Sequence, residues 1–216
     1  YAGFKKRLPE DVSDVLVSLP RKARAAARQG RKKFSLTISY GIQHLPAVYQ
    51  LYADSMHRLA SLNYPYQFFE ELHTSFKNDM WVSLVRWDDR PVAGLITFAF
   101  RDTVMPYFVG LSDNARQCHA ANFIYLCTME RAVARGYSYF DFGRSRIDNT
   151  GSYNFKRFHG FEPRTLGYQF HTMPGNRPVS LSASSSRFSI ARKLWTWCPR
   201  VVTKRLGARL AYHLPG

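Results

Sequence analysis

Basic and hydroxyl side chains crowd one short stretch of this 216-residue chain, in an order that suits an anionic ligand. The stretch runs Asp141-Phe142-Gly143-Arg144-Ser145, then Gly151-Ser152-Tyr153-Asn154-Phe155-Lys156, with Phe161-Glu162-Pro163 close behind. It reads as a buried strand, a polar turn, a short helix carrying a lysine, and a second strand. A strand end that opens into a polar turn and a helix is a common anion site, because backbone amides and basic side chains meet there. Arg144, Arg146 and Lys156 are expected to gather at that end, with Ser145, Gly151 and Tyr153 completing a substrate-binding set. Lys156 can hold a phosphate as a point charge or stabilise negative charge forming at an attacked carbonyl. The plainer alternative is a surface lysine whose stem covers Tyr153. Asp141 alternates with Phe140 and Phe142 and so points away from them. It can position an incoming amine or pair with a neighbouring arginine.

Asp141-Phe142-Gly143 also invites a kinase reading, which fails. No Gly-rich loop precedes it and there is no His-Arg-Asp catalytic loop, so the phosphate and metal ligands are missing. Gly143 is better read as a tight strand exit that lets backbone approach a ligand.

The elements that must position these residues follow from periodicity. Ser18-Leu19-Pro20 resembles a helix start, with Ser18 as N-cap and Pro20 in the first turn. The helix after it carries Arg21, Arg24, Arg28 and Arg31 on one face, either a solvated stripe or a phosphate contact, and is expected to end at Gly30. Residues 34–40 alternate as a strand. Leu45, Val48, Tyr49, Tyr52, Met56 and Leu59 keep helical spacing, and Pro65 opens a second helix. Residues 80–87 and 92–100 form a hairpin about Asp88-Asp89-Arg90-Pro91, residues 104–111 a third strand, residues 120–135 a long helix stopping at Gly136, and residues 139–142 a short buried strand.

That order, together with Phe140-Asp141-Phe142-Gly143-Arg144-Ser145, Gly-x-Tyr-x-Phe-Lys and Gly160-Phe161-Glu162-Pro163, resembles the FemAB-like acyltransferases of the GNAT superfamily. The likeness is nearest to the FemAB-like proteins that accompany PEP-CTERM and exopolysaccharide systems. It covers roughly residues 18 to 172. His159 departs from it, standing where an aromatic residue, usually Trp, precedes the glycine. The resemblance implies an α/β fold with a GNAT-type mixed sheet flanked by helices, whose strands at 104–111 and 138–143 splay to admit an acyl donor. It implies a basic helix and linker over 1–33, a GNAT-like acyltransferase domain over 34–175, and a Ser/Pro-rich linker with a basic amphipathic tail over 176–216. Lys156 and Asp141 take the catalytic roles. The implied reaction moves an aminoacyl or acyl group to an amine of a cell-envelope precursor or exopolysaccharide. The donor is aminoacyl-tRNA or acyl-coenzyme A, no cofactor is bound tightly, and a second GNAT lobe lies N-terminal to this chain. A coenzyme A-dependent N-acetyltransferase and a non-catalytic lobe that binds an anionic polymer are the alternatives. The loop that would hold the coenzyme A pyrophosphate, residues 112–122, contains no glycine, which favours a different donor.

Charge is segregated along the chain. Residues 21–33 hold seven basic side chains and no acidic one, residues 163–216 hold nine and none, and the segment between them is neutral. Basic flanks suit phosphate, RNA or an anionic membrane surface. Trp195 and Trp197, followed by Val201, Val202, Leu206 and Leu210 with basic residues between, suit a bilayer interface or packing back onto the domain. No apolar run is long enough to span a membrane. The three cysteines have no close pairing and the seven histidines no metal spacing, so reduced thiols and a cytoplasmic location are expected, with peripheral contact at the inner membrane through the tail.

Overall fold

The structure, a computed structural model, describes residues 1–168 and 189–211. In chain order it forms β1 (Ala2–Arg7), α1 (Val12–Val17), α2 (Arg21–Lys32), β2 (Thr37–Tyr40), α3 (Leu45–Arg58), α4 (Tyr66–Phe76), β3 (Met80–Trp87), β4 (Arg90–Phe100) and β5 (Thr103–Leu111). There follow α5 (Ala120–Ala134), β6 (Tyr139–Ser145), α6 (Thr150–Phe158), β7 (Arg164–Thr165), α7 (Ser189–Trp197) and α8 (Arg200–Ala211). The strands make one mixed sheet in the order β2-β3-β4-β5-β6-β1-β7.

The middle of the sheet is dictated by local chemistry. The first six residues of β3 are buried whichever face they point to, as in a strand covered on both sides. Asp88 and Asp89 both take positive φ, the conformation a two-residue hairpin requires, and so turn β3 into β4. One face of the sheet is closed by α1, α2 and α5 around Phe4, Leu95, Ile124, Phe140 and Phe142. The other is closed by α3 and α4 around Val48, Phe69, Leu84, Ile96 and Phe108. Glycine lets α3 sit directly on this second face. A Cβ on Gly110 would lie 2.2 Å from the Tyr52 backbone nitrogen.

Among the described residues β5 and β6 are the only parallel neighbours, and they pair through Thr103 with Tyr139 and Val104 with Phe140 alone. Beyond those residues they part, which is the splay expected of the two strands. β6 is held mainly from its other side, where β1 runs antiparallel to it from Ala2↔Ser145 to Arg7↔Tyr139.

Four expectations need correction. The reading of residues 1–33 as linker and basic helix misses β1, because its Lys5-Lys6-Arg7 end hides two inward residues, Ala2 and Phe4. Ser18 ends α1 instead of starting α2: its backbone N–H donates to Asp14 O at 2.8 Å, and Pro20 takes the N-cap position. Gly30 does not stop α2. It lies inside the α2–α5 contact, where a Cβ would come within 3.1 Å of Phe123 Cβ. The basic stripe is partly spent on the fold as well, since Arg31 pairs with Glu130 at 2.5 Å and Arg24 donates to Val17 O at 3.2 Å.

The tail does pack back in part. α8 docks on α3 through Thr203, whose hydroxyl meets His57 Nδ1 at 3.0 Å, and through Gly207, which faces Asn63. Lys204 reaches Asp54 at 3.1 Å, and Arg200 reaches Asp113 at 3.3 Å. Most of the expected Ser/Pro-rich linker lies outside the described residues.

Gly110→Ala is expected to lose more than about 3 kcal/mol of stability, because the methyl group meets backbone that cannot step aside. Urea denaturation of the two proteins measures it, and a loss within 1 kcal/mol, roughly the scale of a tolerated core change, would show that α3 can lift off the sheet.

Candidate active site

The parting of β5 and β6 opens a cavity of about 470 Å³. Met105, Tyr107, Val109 and Leu111 line it from β5, Phe142 to Arg144 from β6, Ala121 and Tyr125 from α5, and Ser152, Phe155 and Lys156 from α6. Tyr125, Phe142 and Phe155 pack with ring centroids 4.9 to 6.2 Å apart and make an apolar floor. Past Val104 and Phe140 neither strand has the other as a ladder partner, so backbone groups on both edges face the opening.

Lys156 stands at this cavity, as its motif predicts, but it is not a surface side chain. It is only 8% exposed. Its ammonium donates to three backbone carbonyls, Phe142 O at 2.7 Å, Arg144 O at 3.0 Å and Gly143 O at 3.4 Å. It also lies 5.3 Å from the centre of the Phe4 ring. Burial pushes it down to about 8, against a smaller opposing pull from the Asp141 carboxylate. The side chain thus closes the end of β6 and puts a positive charge at the cavity wall.

Asp141 points away from the aromatic core as expected, but it pairs with no arginine among the described residues. Its carboxylate accepts the Gly143 N–H at 2.7 Å, which tightens the strand exit where Gly143 takes a φ of +67°. Arg144 lines the cavity while its guanidinium donates to the Tyr168 hydroxyl at 2.7 Å and lies over the Tyr1 ring. Arg146 turns to Asp148 at 2.6 Å and does not line the cavity, so the expected gathering of three cations reduces to Arg144 and Lys156. Ser145 is buried and shares a hydrogen bond with Ser152 at 3.0 Å, tying β6 to α6. Gly151 lies in the first turn of α6, where the Asn149 side chain accepts the Ser152 N–H. Tyr153 is half-buried, packs edge-on against Phe4 at 5.2 Å between centroids, and does not line the cavity.

A second cavity of about 920 Å³ adjoins the first through Leu111, Ala121 and Phe155. It opens at the N-terminus of α5 and is walled by Ser112, Asp113, Ala115, Arg116, His119, Asn122, Phe158, Arg58 and the Lys22 to Gln29 side of α2. His119 takes the left-handed conformation, φ 57°, just before the first helical residue. Its ring bonds Gln29 at 3.0 Å, linking α2 to this loop. The α2 wall was not legible in the sequence, where the helix appears only as a basic stripe.

Comparison with known proteins bears on this arrangement. The sequence profile of the GNAT acetyltransferase domain matches residues 17–157. This chain belongs to the GNAT acetyltransferase family. Acyl transfer is thus the general chemistry of its family, and the matched residues include both strands of the cleft, β5 and β6. Among solved structures the chain is similar to FemX, with a TM-score of 0.69, 13% identity, and coverage of 75% of this chain and 59% of that one. It is also similar to the C-terminal domain of a putative lysylphosphatidylglycerol synthetase from Agrobacterium fabrum, with a TM-score of 0.52, 14% identity, and coverage of 75% and 57%. A third is an aminoglycoside acetyltransferase from an uncultured soil metagenomic sample, with a TM-score of 0.50, 15% identity, and coverage of 66% and 99%. The chain therefore spans less than two thirds of the first two. No curated protein sequence matches it significantly.

Within this GNAT domain no thiol is poised to attack. Cys118 and Cys127 are buried, and burial raises both, Cys127 to about 11. His159 fills the place expected of an aromatic ring, fully buried and 4.4 Å from the Phe155 ring centre. Its Nδ1 lies 2.8 Å from Phe155 O and its Nε2 lies 3.3 Å from Asn122 Nδ2. One neutral tautomer satisfies both contacts, with Nδ1–H donating and Nε2 accepting.

Two outcomes follow for this site. Lys156→Met removes the ammonium that donates to the Phe142 and Arg144 carbonyls, and is expected to cost about 1–3 kcal/mol in a denaturant titration. Burial lowers the affinity of His159 for a proton below the ordinary 6.5. The unfolded chain therefore binds the proton first, so stability is full above about pH 6.5 and falls as the pH drops below it. His159→Phe should flatten that slope between roughly pH 7 and 5, and a Tm that depends on pH equally in both proteins would assign the slope elsewhere.

Proposed function

We propose that this GNAT domain transfers an aminoacyl or acyl group to an amine of a cell-envelope precursor or exopolysaccharide. The observation that carries the reading is the splayed cleft with a buried lysine at its wall, continuous with a second cavity rimmed by Lys22, Arg58 and Arg116. The donor's anionic part lies along the second cavity, and its carbonyl reaches into the first. A deprotonated amine attacks that carbonyl and the C–N bond forms. The ester or thioester bond then breaks, and the leaving oxygen or sulfur takes the proton that the amine gives up. Open backbone amides on β5 and β6 and the charge of Lys156 stabilise the oxyanion between the two steps. The reaction consumes its donor, and no cofactor is retained.

Aminoacyl-tRNA is the favoured donor. The loop at residues 112–119 lacks the glycines that let backbone wrap a pyrophosphate, and His119 occupies a left-handed position instead. The similar structures agree with acyl or aminoacyl transfer in general, since one is an aminoglycoside acetyltransferase and another a domain of a putative lysylphosphatidylglycerol synthetase. A second GNAT lobe N-terminal to this one completes the proposed enzyme. The tail fits a peripheral contact with an anionic membrane. With Thr203 and Gly207 turned inward, Trp197 is 82% and Val201 66% exposed, beside the exposed Arg205 and Arg209. No helix among the described residues is long and apolar enough to cross a membrane.

Incubation with charged tRNA, acyl-coenzyme A and amine-bearing envelope acceptors separates the donors, and consumption of neither would leave the non-catalytic lobe. Lys156 loses its proton near pH 8, so the rate is expected to decline above that pH while the wild-type protein remains folded. A descending limb that persists unchanged in Lys156→Met would remove the lysine from the reaction.

A further inference from the structure

We propose that a cavity at the C-terminal end of α5 is a second anion site, built for a small molecule that carries a pyrophosphate or similarly charged phosphate group. The cavity measures about 510 Å³. Among the described residues four basic side chains line it, His73 near the end of α4, Lys77 just after it, and Arg131 and Arg135 from the end of α5, and no carboxylate does. The nearby Glu130 is committed to Arg31 at 2.5 Å.

The guanidinium groups are held ready for a ligand. Arg131 lies 4.1 Å from the Tyr40 ring centre and 5.4 Å from that of Trp81, and Arg135 lies 5.0 Å from Trp81. Stacking fixes the planes of the two forks and leaves their N–H edges to donate. Arg131 Nε and His73 Nδ1 are buried and without a hydrogen-bond partner among the described residues. Such atoms normally find one, and both belong to side chains that line the cavity. Tyr40 adds a neutral hydroxyl, which burial pushes up to about 12.

A bland account covers part of this. Arginines in the last turns of a helix complement its dipole, and aromatic faces attract them. Neither effect brings His73 and Lys77 across from α4, nor leaves two buried nitrogens unpartnered. Three fixed positive charges, from Lys77, Arg131 and Arg135, call for more than one negative charge, and guanidinium forks match phosphate oxygens two at a time. Ile42, Met80 and Val82 complete the wall, with room for an organic group beside the phosphates. The site is distinct from the acyl-donor cleft, since Arg131 lies ten residues along α5 from Ala121, about 15 Å.

Methionine-methyl NMR separates the two places, because Met80 lines this cavity and Met105 lines the cleft. Pyrophosphate, inorganic phosphate and acetate are titrated at constant ionic strength into the full chain. The expected result is a saturable shift of Met80 with pyrophosphate, weaker with phosphate and absent with acetate. Arg135→Gln and Lys77→Gln each weaken it roughly tenfold. Both positions are exposed, so either variant can report if the other fails to fold. A Met80 signal that does not move would overturn the proposal. So would a shift that both variants leave intact, or one that appears at Met105 and is abolished by Arg116→Gln.

Discussion

A sheet that opens between two of its strands must account for every backbone group it leaves without a partner. Here the ladder between β5 and β6 stops after two residue pairs, in the middle of a seven-stranded sheet. The structure answers this in three ways. Apolar rings from α5, β6 and α6 fill the base of the gap. The Lys156 ammonium takes the carbonyls at the end of β6. The edges that remain face the cavity.

The solution explains why the polar residues near the cleft do less direct ligand chemistry than their types suggest. Asp141 braces Gly143, Ser145 braces α6, and Arg146 braces its own turn through Asp148. Each holds the strand exit in place. Lys156 does two kinds of work, because the bonds that satisfy the carbonyls also set a desolvated charge at the cavity wall. The loop at the N-terminus of α5 is braced from outside by Arg58 and Arg200, both of which pair with Asp113, so the docked α8 steadies the mouth of the second cavity.

Much of this was legible in the chain itself. The hairpin of β3 and β4, the long α5 and the Phe140-Asp141-Phe142-Gly143 strand carry strong periodicity or turn chemistry, and the structure places them within a few residues of expectation. Lys156 was singled out by its motif. Its three carbonyl contacts could not be, since they depend on how two distant segments meet. β1 was missed for a related reason: a short strand with half its residues basic has no local signature, and only its pairing with β6 defines it. The α2 wall of the second cavity and the cluster around Arg131 likewise come from helices that are far apart in sequence. Periodicity reports which face of an element is buried, but not what is buried against it.

The placement of β1 has a consequence for how the protein comes into being. β1 is made well before the segments it pairs with, which reach Ser145 and Thr165 near the far end of the domain. Until those residues are made, Ala2 and Phe4 have no sheet to enter, and Lys5, Lys6 and Arg7 keep the waiting strand soluble and discourage pairing with other chains. Such long-range closure is slow in folding terms. β6 has little hold on β5, so the cleft between them takes its final shape only when β1 returns to pair with β6.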